Sequence, residues 1–75
     1  MVAMIADLDT AKRVSDLLLQ ITEQLNESTR MVQDTCPEAE FLRYRRAVGA
    51  IMAEILEVIN PLYSMHPSLA PPGFE

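Results

Sequence analysis

The stretch DTCPEAEF, residues 34–41, decides the fold, because it interrupts what otherwise reads as one long run of helical periodicity. Thr35 followed three residues later by Glu38 has the capping-box pattern, and Pro37 is tolerated in a first helical turn, where its missing N–H has no intrahelical partner anyway. Proline also biases the preceding Cys36 away from helical angles. A tight turn is therefore expected near residues 34–36. With so few residues between two periodic segments, the helices fold back on each other as an antiparallel hairpin.

Upstream of the turn, DLDT places Asp7, Asp9 and Thr10 where a helix N-cap is wanted, with negative charge near the N-terminal end of the helix dipole. From there Ala11, Val14, Leu18, Ile21, Leu25, Ser28 and Val32 follow alternating spacings of three and four, the seam of a helix packed lengthwise on another. Leu17 adjoins that stripe. Arg13, Asp16, Gln20, Glu23, Gln24, Glu27 and Asp34 lie away from it and read as a solvated face. The expected first helix covers residues 8–34.

Downstream, a second helix is expected over residues 37–59. Phe41, Tyr44, Val48, Ile51, Ile55, Val58 and Leu62 repeat the three-four spacing, and Met52, Leu56 and Ile59 widen it on one side. With Leu42, Gly49 and Ala53 at the margin, the apolar or small sector spans roughly 220° of the circumference. One partner helix cannot cover so wide a sector, and a soluble monomer rarely leaves such a patch wet. The expectation is an all-α homodimer in which two hairpins form a four-helix bundle. Its interface is assigned to Tyr44, Val48, Gly49, Ile51, Met52, Ile55, Leu56 and Ile59. Gly49 and Ala53 form a small-x-x-x-small ridge suited to close packing, and Gly49→Leu should then weaken the dimer.

Asn60 and Pro61 should end the second helix, since proline cannot donate to the ladder and disfavours helical angles before it. Residues 61–75 then form a short turn followed by an extended, proline-rich tail, with Leu69 and Phe74 available to dock it. The whole chain, 1–75, reads as one domain.

Length and charge bound the function. At 75 residues a single core without disulfide or metal supplies only about 3–5 kcal/mol, so some supplement is expected. Cys36 is the lone cysteine, which removes an intrachain disulfide, and with His66 as the lone histidine a structural zinc site lacks ligands. Oligomerisation is the supplement that remains. The formal net charge of −5 argues against a broad grip on nucleic acid or anionic lipid. No uninterrupted apolar run approaches the ~20 residues of a membrane span, and the start MVAMIADLDT lacks a basic n-region, so the expected location is cytoplasmic, away from the membrane.

No catalytic, cofactor or metal site is assigned. The chain has no glycine-rich phosphate loop, no His paired with a carboxylate at helical spacing, and no Cys with an obvious basic partner. His66 reads as an ordinary tail residue and Cys36 as a turn residue. Among the arginines, Arg43 and Arg46 fall on the polar side of the second helix, whereas Arg45 projects into the apolar sector between Met52 and Leu56. Candidate partner contacts are Arg43, Arg45, Arg46, Tyr63, Met65, Leu69 and Phe74. These support a non-enzymatic protein–protein interaction module. The alternative is a small nucleic-acid-binding regulator that uses the three arginines, with Lys12 and Arg13 from the first helix. In layout, a dimerising hairpin resembles the plasmid copy-number regulators that bind paired RNA loops, and a lone hairpin resembles the small chaperones of type III secretion needles. No motif carries either likeness.

Overall fold

The computed structural model describes residues 4–70. Two helices, α1 (Leu8–Thr35) and α2 (Glu38–Met65), pack antiparallel, and a single 3₁₀ turn, Pro67–Leu69, follows. Among the described residues there is no strand. Each helix has 28 residues, which at 1.5 Å per residue is about 42 Å, and the molecule measures 45 × 22 × 20 Å. Its radius of gyration, 14.9 Å, exceeds the roughly 11 Å of a compact domain of this length. The hairpin is a rod.

Asp7 caps α1. Its Oδ2 accepts the Thr10 backbone N–H at 2.9 Å and the Thr10 hydroxyl at 2.7 Å. Those two bonds, the hydroxyl first, hold the Asp7 carboxyl below its ordinary value of 3.8, with His66 adding a smaller pull the same way.

At the other end the capping-box expectation fails. Thr35 is the last residue of α1, and its hydroxyl donates back to the Met31 carbonyl, so it cannot cap α2. Only Cys36 and Pro37 separate the helices. Both are extended, with φ/ψ of −123°/158° and −59°/152°, because the proline ring excludes helical angles at Cys36. No side chain caps α2, whose first turn carries Glu38 and Glu40 against the dipole.

The interhelical seam on α1 runs Ala11, Ser15, Leu18, Thr22, Leu25, Thr29, Val32 and Cys36, all buried or half-buried. That is an unbroken alternation of four and three, the period of two helices packed lengthwise. It differs from the stripe expected from apolar spacing: Ile21 and Leu17 are 43% and 57% exposed, while Thr22 and Ser15 take the inward positions. Hydroxyls are tolerated there when bonded. Ser15 Oγ meets Tyr63 Oη at 2.9 Å, and Thr29 Oγ1 donates to the Leu25 carbonyl at 2.9 Å.

On α2 the inward face comprises Phe41, Tyr44, Val48, Met52, Ile55, Ile59, Leu62 and Tyr63. The most buried side chains gather at the end remote from the turn, where Ala11, Ser15, Ile59, Leu62 and Tyr63 are 0–6% exposed.

Helix α2 does not stop at Ile59. It passes through Pro61 to Met65, correcting the expected turn at residue 61; the expected extended tail beyond residue 70 lies outside the described residues. Pro61 and Glu57, whose carbonyl loses its i+4 donor, are both exposed, so water can satisfy that carbonyl. Just beyond, Leu62 and Tyr63 are buried against α1, and this burial outweighs the local break. The polypeptide then closes through His66, whose Nε2 donates to the Ile5 carbonyl at 2.9 Å, and through the 3₁₀ turn, where Leu69 is half-buried.

Candidate functional site

Two depressions mark the described surface. One depression of about 390 Å³ is lined by Gln20, Glu23, Gln24, Asn26, Glu27 and Arg30, all from α1. A second, of about 340 Å³, is bordered by Leu42, Arg45 and Arg46 on α2. Among the described residues each is lined by one helix alone, and an open depression of that kind does not exclude water from a reacting group. Among the described residues no three His, Cys, Asp or Glu side chains converge as metal ligands. Cys36 is half-buried, its Sγ 3.6 Å from the Thr35 hydroxyl.

What the surface does carry is apolar area. Leu8, Leu17, Leu19, Ile21, Met31, Leu42, Ile51, Leu56 and Met65 are each more than two-fifths exposed. Two hydrogen bonds sort these residues onto the two flanks of the seam. Ser15 and Tyr63 pair across one flank. Ser28 and Tyr44 pair across the other at 2.8 Å; the Ser28 hydroxyl is committed to the Leu25 carbonyl, so Tyr44 donates.

At about 100° per residue, Leu17 and Ile21 turn toward the Ser28 side of α1, and Ile51, Val58 and Met65 toward the Tyr44 side of α2. On α2 these residues recur every seventh position: Tyr44, Ile51, Val58, Met65. The Ser15–Tyr63 flank carries Leu42, Gly49 and Leu56 on α2. On α1 it is mostly polar, with Thr22, Asn26 and Gln33 beside the isolated Leu8 and Leu19.

Against this geometry the residues assigned to a dimer interface separate. Val48 and Ile59 are 6% and 3% exposed within one chain, and Met52 and Ile55 are half-buried. The centre of the expected interface is thus taken by α1. Tyr44 is half-buried and Ile51 exposed on one flank; Gly49 and Leu56 are exposed on the other. A Cβ added to Gly49 would meet nothing within 4 Å, so no close approach within the chain explains the glycine.

Among the candidate partner contacts, Arg43, Arg45, Arg46 and Met65 are exposed, Leu69 is half-buried, and Phe74 lies outside the described residues. Arg45 is exposed, on the same side of α2 as Leu42 and Leu56. It stands on the flank near the turn, where its long side chain reaches water. Tyr63 is buried at 6% and bonded to Ser15, a core residue rather than a surface one. Lys12 and Arg13 sit near the opposite end of the rod from the three arginines, roughly 25 Å along the axis at 1.5 Å per residue.

The sequence reading missed the role of His66, which ties the N-terminal segment to the end of α2. No spacing rule links residues 5 and 66, so only the closed hairpin reveals it. Helix α2 is also long and apolar enough to cross a membrane by length and composition, with a mean hydropathy of 1.2 over 18 residues. Glu54 and Glu57 lie in the middle of that stretch, and a carboxylate at a bilayer centre costs about 2.5–3.5 kcal/mol.

No protein-family model matches the chain, and no curated protein or solved structure is significantly similar to it.

Proposed function

We propose that the protein is a non-enzymatic helical interaction module that works as a homodimer, two hairpins completing a four-helix bundle. The observation that carries this reading is surface. The chain exposes 5905 Å², whereas a compact monomer of 8.4 kDa exposes roughly 4,600 Å². The excess of about 1,300 Å² is more than the ~800 Å² per partner of a standard stable interface. It accompanies a small core, with Val48, Ile59, Leu62 and Tyr63 buried but many large apolar side chains beside them more than two-fifths exposed, so association supplies apolar burial that the single chain leaves incomplete.

Sedimentation equilibrium of the purified chain between about 1 and 100 µM tests the reading. A mass twice the 8.4 kDa of the chain, reached within that range, is the expected result; the chain mass throughout would refute it.

The nucleic-acid reading has less support. Arg30, Arg43, Arg45 and Arg46 gather toward the turn, but Glu27, Asp34, Glu38 and Glu40 are interleaved with them, which cancels the local field a phosphate backbone needs. Steeply salt-dependent binding of RNA or DNA would revive it.

A further inference from the structure

We infer that the second copy docks on one flank of the hairpin, the face formed by Leu17 and Ile21 of α1 with Ile51, Val58 and Met65 of α2, and not on the Gly49–Leu56 flank. The inference rests on the dimeric reading and sharpens it.

Helix α2 alone does not choose, because it is apolar on both sides of its seam: Tyr44, Ile51, Val58 and Met65 recur every seventh residue on one side, and Leu42, Gly49 and Leu56 on the other. Helix α1 breaks the tie. On the Ser28–Tyr44 flank it presents Leu17 and Ile21, 57% and 43% exposed, across from Ile51 at 47% and Met65 at 48%. On the Ser15–Tyr63 flank it presents Thr22, Asn26 and Gln33, with Leu19 at mid-helix and Leu8 at the N-terminal end as separated apolar positions, 41% and 51% exposed.

Only the first flank is apolar on both helices and so forms a continuous strip along the groove between them. Arg13, Gln24 and Glu54 border that strip, giving an apolar centre with a polar rim. A single self-complementary face of this kind suits a two-fold dimer, in which each copy buries the same patch. The surface excess of about 1,300 Å² is of the size such a face must cover.

The test compares the two flanks with matched substitutions. Ile21→Glu with Ile51→Glu should weaken the dimer on the order of 100-fold or more by sedimentation, whereas Leu19→Glu with Leu56→Glu should change it by less than about tenfold. Because buried charge can unfold a small hairpin, a milder probe runs beside it. Leu17→Cys and Leu19→Cys, each in a Cys36→Ser background, are titrated with a thiol reagent at protein concentrations below and above the dissociation constant.

The Leu17→Cys thiol should react about tenfold more slowly in the concentrated sample, with the Leu19→Cys thiol unchanged. Protection of the Leu19→Cys thiol, alone or to an equal degree, would overturn the choice of face while leaving the dimer standing. A monomer mass with both thiols indifferent to concentration would overturn the dimeric reading itself.

Discussion

Leu62→Ala separates the observed fold from a helix that stops before Pro61. Leu62 is 1% exposed and is the largest fully buried side chain, yet it lies beyond the proline. Removing the carbons beyond Cβ forfeits about 2.4 kcal/mol at ~0.8 per buried carbon, and the unfilled cavity adds to that, for a total of about 3 kcal/mol. Against the roughly 3–5 kcal/mol available to a domain of this size, that is most of the stability. The melting temperature should fall by roughly 12–24 °C at about 4–8 °C per kcal/mol. Far-UV circular dichroism during heating, at one fixed protein concentration because association shifts the midpoint, reads the effect. Leu56→Ala is the control: at 46% exposure it should cost about 1 kcal/mol. If Leu62→Ala costs no more than Leu56→Ala, Leu62 is not core and α2 does not continue through Pro61.

Other substitutions probe the remaining elements. Pro61→Ala restores an N–H to the Glu57 carbonyl within an unbroken helix and should stabilise by about 1–3 kcal/mol in urea denaturation, whereas a helix ending at Ile59 would be indifferent. Gly49→Ala adds a methyl into open space and should stabilise by about 0.5–1 kcal/mol without altering the sedimenting mass. In a Ser15→Ala/Tyr63→Phe cycle the double variant should cost less than the sum of the singles by about 0.5–1.5 kcal/mol, and strict additivity would show that the two hydroxyls do not interact. Asp7→Asn should reduce hydrogen-exchange protection at Thr10 and Ala11. Because folding depresses the Asp7 carboxyl below 3.8, its contribution is present above that pH and lost as pH falls through the lower folded value; a wild-type N-terminus that does not fray in acid would contradict the cap.

The turn was legible because proline acts locally: Pro37 restricts Cys36 whatever surrounds it, so the hairpin could be read from eight residues. The N-terminal cap was legible for the same reason, Asp7 and Thr10 being three residues apart. The candidate site was harder to read. Of the eight residues assigned to an interface, Val48 and Ile59 are buried inside the single chain. A helical wheel shows which residues share a sector, but not which part of a wide sector the first neighbour takes.

By itself the sequence determined two long helices, the two-residue break between them, their antiparallel return, and an apolar sector on α2 wider than one helix covers. Tertiary packing decided the rotation of α1, which turns Ser15 and Thr22 inward and leaves Leu17 and Ile21 outside, and it carried α2 past Pro61 to bury Leu62 and Tyr63. The reason is the range of the forces involved. Caps and proline sterics act within about four residues and are written in local order. Burial and the hydroxyl pairs join residues 16 to 48 positions apart, and their balance exists only once both helices are in place.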